Sequence, residues 1–274
     1  MAINYASKYA QKIDEKFTRE SLTASAVNSD YDFVGAKTVN VYSIPTAEMN
    51  DYDINGASSR YGTPAELQNT VQEMTMSRDR SFTFTIDRGT YNDTQMANAA
   101  GAALQRQLRE VVIPEVDKYR FEKIAEGAKT TATGKVTKTT AYDIFLTGAA
   151  ALIDECVPLS GTVAFVSSNF YKCIKEDSSF IRGGDMSQDM LVKGQVGTVD
   201  GIPVIVVPTS YLPEGVELII TNSAATTSPV KLSDYKIHDN PPGINGWLIE
   251  GRVYYDAFVL NNKKNAIYVY KTAN

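Results

Sequence analysis

The stretch NDTQMANAAGAALQRQLREVVIPEVDKYRFEKIAEG, from Asn92 to Gly127, decides how this chain is read. Met96, Ala100, Ala103, Leu104, Leu108, Val111 and Val112 recur at three- and four-residue steps, which lays them along one face of a helix. The apolar face resumes at Val116, Tyr119, Ile124 and Ala125. Asn92, Asp93 and Thr94 are good N-cap types, and Gly127 is a natural stop. Pro114 removes a backbone donor and crowds the preceding turn, which predicts a kink rather than an end. At 1.5 Å per residue the helix would be roughly 50 Å long, more than the diameter of a compact domain of ~150 residues. Such a helix is a spine against which other elements are laid.

Before the spine, Ile3, Ala6, Ala10, Ile13 and Phe17 form one helical stripe, either a surface helix or an arm packing on a neighbouring subunit. Leu22 to Phe33 is polar and small, a connector. Between Lys37 and Arg88 the period changes to two: KTVNVYSI alternates at Val39 and Val41, and SRDRSFTFTIDR alternates at Phe82, Phe84 and Ile86. The intervening residues, including DYDINGASSRYGTP, form a connection too long for an ordinary hairpin turn. Met49, Tyr52, Tyr61, Leu67, Met74 and Met76 argue for a projecting two-stranded loop rather than disorder. An isolated hairpin is marginal in water, so this one needs a surface to lie on, and a second copy of the chain can supply it.

After the spine, KTTATGKVTKTT reads as a boundary. Tyr142 to Val157 is a second amphipathic helix closed by Pro158, and TVAFVSS is a buried strand. SNFYKCIKE is a short helix capped by Ser168 or Asn169, and Phe180 to Gly201 is a Gly-rich excursion. IPVIVVP and VELIIT are apolar strands. This alternation is a compact α/β module of about 100 residues inserted before the final segment. That segment, WLIEGRVYYDAFVLNNKKNAIYVYK, reads as strand, turn, strand, a ribbon packed on the spine.

The chain has 274 residues, 43% of them apolar, and a net charge of −5, which excludes a basic face for sequence-independent nucleic-acid binding. No apolar run is long enough for a membrane-spanning helix, and the acids in MAINYASKYAQKIDEKF are unlike a signal peptide. Cys156 and Cys173 read as two buried thiols rather than a disulfide, in keeping with a reducing cytoplasm. The one histidine, His238, sits beside two prolines and reads as a surface residue, so no nucleophile–histidine site and no zinc site is expected. Gly194, Gly197 and Gly201 lack phosphate-loop spacing and read as a turn before a strand. Asp51 and Asp53 open like a calcium loop, but its twelfth position is Gly62 rather than Glu. No stretch singles out paired carboxylates, and the 16 tyrosines are spread too evenly to mark a sugar groove. Neither an enzyme nor a cofactor is expected.

In this order, TVNVYSIPT, RYGTPAEL, RSFTFTIDR, RQLREVVIPEVDKYRFEKIA, GQVGTVDGIPVIVVP and GRVYYDAFVLNNKKNAIYVY resemble segments of tailed-bacteriophage major capsid proteins of the Hong Kong 97-type fold. The resemblance covers nearly the whole chain. It implies an α+β fold with an N-terminal arm (1–34), an extended loop (35–90), a spine helix and peripheral domain (91–134, continued by 246–274) and an axial domain (135–245). It further implies self-assembly through pentamers and hexamers into a closed shell around double-stranded DNA, without sequence-specific contacts and without a membrane. Some relatives cross-link through a lysine in the extended loop, but the only lysine from Gly35 to Asp117 is Lys37, so no such link is expected. The fold's features begin within about 35 residues, so a separate scaffolding protein is expected, with a portal. Inter-subunit contacts are expected at Tyr52, Arg60, Tyr61, Glu66 and Leu67 in the loop, and at Arg78, Asp79 and Arg80 in its returning strand. The other readings are an encapsulin-type compartment shell with the same fold, and an extracellular carbohydrate-binding or hydrolytic domain.

Overall fold

The computed structural model describes residues 21–31, 33, 37–55, 59–64, 66–93, 99–177 and 195–273. The N-terminal stripe and most of the Gly-rich excursion lie outside them. In chain order the main elements are β1 (Thr38–Ser43), β2 (Thr70–Thr75), β3 (Arg78–Asp87), α1 (Arg88–Asp93), α2 (Ala100–Gln107) and α3 (Ile113–Gly127). β4 (Thr130–Gly134), α4 (Ala141–Asp154), β5 (Thr162–Ser167), α5 (Ser168–Glu176), β6 (Gln195–Val199), β7 (Ile202–Val207) and β8 (Val216–Asn222) follow. The chain closes with β9 (Thr226–Thr227), β10 (Val230–Asp239), β11 (Gly246–Tyr255), β12 (Phe258–Val259) and β13 (Ile267–Thr272).

The spine is α2 and α3 joined by one π-helical turn, Leu108–Val112. Pro114 has no N–H, and its ring would meet the carbonyl four residues back. Widening the turn just before it accommodates both without ending the helix. From Ala100 to Gly127 the run is about 42 Å long at helical rise. Asn92 and Asp93 belong to the short α1 rather than capping the spine, which Ala99 precedes, and the expected Thr94 and Met96 lie outside the described residues. Gly127 does end it, but by close approach: a Cβ there would lie 2.5 Å from Val259 Cγ2.

The spine bridges two cores. Phe121 and Ile124 join the main core between the helices α4 and α5 and a six-stranded sheet. One turn earlier, Val112, Val116 and Tyr119 pack on Val253, Tyr255 and Ala257 of the second sheet. The six-stranded sheet has the order β4-β13-β8-β5-β7-β6, and β5 is buried at every residue. A strand buried on both faces needs the near-continuous apolar run that TVAFVS supplies. Between β6 and β7 the register Val199↔Ile202 leaves a two-residue turn, Asp200–Gly201, with both residues at positive φ. That is the type I′ arrangement a tight hairpin demands, so Gly201 serves a turn before a strand, whereas Gly197 lies inside β6 and Gly194 lies outside the described residues.

Two strand pairings depart from the sequence reading. β1 pairs not with β3 but with β2, from Thr38↔Thr75 to Ser43↔Thr70. TVQEMT has only alternate apolar residues and sits inside the polar loop, so its strand character was hidden until β1 was beside it. β3 instead joins β10 and β11 in a three-stranded antiparallel sheet. The tail is likewise no ribbon: β11 lies in the three-stranded sheet and β13 in the middle of the six-stranded one, hydrogen-bonded to β4 and β8. Residues 130–134 and 267–272 therefore share a sheet with the inserted module, and β10 shares one with β11 and β3.

Smaller corrections follow. The cap of α5 is Ser167, whose hydroxyl accepts from the Phe170 amide, one residue before the expected position. Cys156 is exposed, at φ 57° in the turn after α4, and Cys173 is half-buried; both are free thiols, but neither is the buried residue expected. His238 is exposed, as a surface residue should be, and lies in β10, 3.2 Å from Glu250 Oε2.

Candidate functional site

The hairpin of β1 and β2 has two ends with opposite chemistry. At its root, Met74 and Met76 are 0% exposed and pack with Phe33 and Leu260. Polar contacts fix the same end: Ser77 donates its amide (2.7 Å) and hydroxyl (3.0 Å) to Asp256 Oδ2, and Gln72 Nε2 donates to the Val259 carbonyl at 2.9 Å. Asp256 Oδ1 accepts from the Tyr119 hydroxyl at 2.7 Å and from the Ala257 amide at 2.8 Å. The hairpin is thereby tied to the spine and to the turn after β11.

A second buried carboxylate holds the connector. Asp117, 1% exposed on α3, accepts from the Ser21 hydroxyl (2.7 Å), the Leu22 amide (2.8 Å) and the Thr23 hydroxyl (2.6 Å). Arg120 Nε donates to Ser228 Oγ at 2.8 Å and its Nη1 to Thr23 Oγ1 at 3.1 Å. Ser228 Oγ in turn donates to the Asp256 carbonyl at 2.9 Å. The roots of connector and hairpin thus meet on one turn of the spine. Burial pushes the Tyr119 hydroxyl well above the usual tyrosine range, with its bond to Asp256 adding to the shift, while burial pulls the Arg120 guanidinium down.

The distal end is the reverse. Tyr42, Ile44, Met49, Tyr52, Ile54, Tyr61, Leu67 and Val71 are all exposed, Met49 at 98%. They are eight of the fourteen large apolar side chains exposed among the described residues, concentrated on one hairpin. Scattered exposed apolar residues are ordinary, but a concentration marks an interaction surface. The tip is nonetheless built: Tyr52 and Tyr61 pack edge-to-face at 5.1 Å, and the Asp53 amide donates to the Arg60 carbonyl at 3.1 Å. Asp53 Oδ1 accepts from the Asn55 amide at 2.9 Å, closing an Asx turn.

Of the residues singled out from sequence, Tyr52, Arg60 and Tyr61 come together at this tip, and Glu66 and Leu67 are exposed on the return toward β2. Arg78, Asp79 and Arg80 do not join them. They lie in β3 and are engaged within the chain: Arg78 stands over the Tyr119 ring at 4.5 Å, and Arg252 Nε donates to Asp79 at 2.9 Å. Arg80 Nε donates to Glu115 at 2.7 Å. The bond to Arg252 holds the Asp79 carboxyl below its ordinary range, although both groups are open to solvent. The sequence reading did not find Asp117 and Asp256. Asp256 is a lone carboxylate in the apolar run VYYDAF, its only signal, while Asp117 stands between Glu115 and Lys118 in PEVDKY and carries none.

Among the described residues no group of three His, Cys, Asp or Glu is placed to hold a metal ion, and no helix is long and apolar enough to cross a membrane. No family model and no curated protein matches the chain. Solved structures do. That of Mycobacterium phage Che8 is similar over 97% of this chain and 96% of its own, at 17% identity and a TM-score of 0.78. The capsid structure of the cyanophage P-SCSP1u is similar over 98% of this chain and 93% of its own, at 12% identity and a TM-score of 0.76. The mature capsid of bacteriophage PhiM1 is similar over 99% and 93%, at 10% identity and a TM-score of 0.74. The α+β fold of this chain is therefore that of phage capsid structures.

Proposed function

We propose that this protein is the major capsid protein of a tailed bacteriophage, a structural subunit that assembles itself through pentamers and hexamers into an icosahedral shell around double-stranded DNA. The observation that carries the reading is the hairpin: its root is locked into the subunit while its distal apolar side chains stay exposed among the described residues. Such an element needs a neighbour, and a neighbour that is another copy, touched through a different surface, gives the heterologous contacts from which closed shells are made. In this reading residues 1–34 are the arm, 35–90 carry the extended loop, the spine with the three-stranded sheet is the peripheral part, and the sheet containing β5 with α4 and α5 is the axial part. A separate scaffolding protein and a portal complete the assembly, which takes place in the host cytoplasm and ends in the virion. With Lys37 at the loop's base and no other lysine up to Asp117, the shell carries no lysine cross-link from this loop.

The test is the solution mass of the purified protein by light scattering, with negative-stain images of the same fraction. Megadalton particles, or pentamers and hexamers that close when scaffold is added, support the shell role. DNA inside separates a virus from a protein-filled compartment. A monodisperse 30.0 kDa species under every condition would overturn it. Arg60→Glu, at the exposed tip, should leave the subunit folded and prevent closed shells.

A further inference from the structure

A strand at the edge of a sheet presents a row of backbone donors and acceptors to which another strand can pair, and proteins blunt such edges with charges, bulges or brevity. Most edges of this molecule are blunted. β10, at one side of the three-stranded sheet, carries Lys231, Asp234, Lys236, His238 and Asp239 and shifts register between Val230 and Leu232. β4 and β6, the edges of the six-stranded sheet, have five residues each, and β6 shifts register as well. β2 carries Glu73, and its Gln72 side chain is bonded to Val259 and Asn261.

β3 is not blunted. It runs for ten residues without a register shift, and its stretch SFTFTI, from Ser81 to Ile86, has no charge. β11 takes one side of it, and among the described residues no strand takes the other. Phe82 and Phe84 stack at 6.3 Å on one face of the strand and are only half-buried, while Ser81, Thr83 and Thr85 are exposed on the opposite face. Among the described residues β1 matches it. TVNVYS is likewise six residues without a charge, paired regularly with β2 on one side and with no strand on the other. Half-buried Val39 and Val41 alternate with exposed Asn40 and Tyr42, the same apolar and polar alternation as in β3. Within one chain β1 runs along Thr70–Thr75, away from β3, so the strand that it matches belongs to another copy.

We infer that β1 of one copy lies against the open edge of β3 in a second copy, so that the hairpin extends the three-stranded sheet. Val39 and Val41 come beside Phe82 and Phe84, and Asn40 beside Ser81, Thr83 or Thr85. The inference rests on the shell-forming reading and assigns the receptor of its hairpin. Main-chain hydrogen bonds supply the attachment, and the alternating side chains fix the register. Giver and receiver are different strands, so the contact propagates from copy to copy.

The experiment is disulfide trapping and amide exchange in the full chain, under conditions in which the wild type forms shells. In a Cys156→Ser, Cys173→Ser background, Asn40→Cys is combined in turn with Ser81→Cys, Thr83→Cys and Thr85→Cys, and each variant is confirmed to fold and assemble before oxidation. We expect one of the three pairs to give covalent chains longer than dimers, and no variant with a single cysteine to cross-link. In the unaltered protein, edge amides of Thr38–Ser43 and of Ser81–Ile86 should exchange about tenfold more slowly in the shell than in the free subunit. Dimers from Thr83→Cys alone, which mean β3 pairing with its own counterpart, would overturn the assignment, as would paired variants whose products stop at dimers. Exchange on β3 that is the same in shell and subunit would also overturn it and leave the shell reading in place. Failure of the wild type to form any assembly would remove the shell reading itself.

Discussion

Asp256 offers the sharpest test of how the hairpin is held. Its carboxylate is 2% exposed and accepts four hydrogen bonds, from the Tyr119 hydroxyl, the Ala257 amide, and the amide and hydroxyl of Ser77. Replacing it with alanine removes all four at once. Ser77 is exposed and can turn to water, but Tyr119 is 7% exposed and its hydroxyl would lose its carboxylate acceptor in the core. An orphaned buried donor costs about 1–3 kcal/mol and a hydrogen bond to a charged group contributes about 1.5–3 kcal/mol. Relief of the buried charge offsets part of this. The expected loss for Asp256→Ala is about 3–4 kcal/mol, a large share of the ~5–15 kcal/mol typical of a whole domain. Asp256→Asn keeps one acceptor oxygen for Tyr119 and Ala257 but turns an NH₂ toward the Ser77 amide, so about 1–2 kcal/mol is expected. Urea unfolding of the unassembled subunit measures both, and hydrogen exchange should show added loosening between Thr38 and Thr75. A loss under about 1 kcal/mol for the alanine variant, or equal losses for the two, would refute the claim that this carboxylate anchors the hairpin.

Gly246→Ala should leave little folded protein in a soluble-expression assay. A Cβ there would lie 2.1 Å from the Ile86 carbonyl oxygen, a backbone atom of the paired strand β3 that cannot swing aside as a side chain would. Burial raises the hydroxyl pKa of Tyr119, Tyr255 and Tyr268, so each favours the folded state while neutral. That contribution is whole below the unfolded tyrosine value of about 10 and is lost as pH rises beyond it, so stability should fall steeply only in the alkaline range, followed by tyrosinate absorbance during unfolding. In the native subunit Cys156 should alkylate readily and Cys173 slowly, read by mass spectrometry, because Cys156 is exposed while burial raises the Cys173 thiol and lowers its thiolate fraction. Equal rates would contradict the placement of α5.

Much of this architecture could be read from the chain because it is written in local periodicity. The spine, α4 and α5 announce themselves by three- and four-residue spacing, and β5, β7 and β8 by short apolar runs bounded by turns. The uncovered hairpin was legible for a different reason: Met49, Tyr52, Tyr61 and Leu67 are too apolar for a solvated loop and too sparse for a core.

Three things came only from the tertiary structure. Strand partners are chosen by surfaces far apart in sequence, so nothing near Thr38 says that it pairs with Thr75 rather than with β3, nor that β13 enters the middle of a sheet begun at Thr130. Burial of a polar group depends on donors brought in from elsewhere. Asp117 waits on Ser21 and Thr23, and Asp256 on Ser77 and Tyr119, and without those donors either carboxylate reads as surface. The open edge of β3 is defined only once β11, from far along the chain, has taken the other side of that strand. Local spacing determines which segments are helix or strand, since those bonds close within a few residues. The meeting of distant segments determines what each one touches, and with it the surfaces that this protein offers to its own copies.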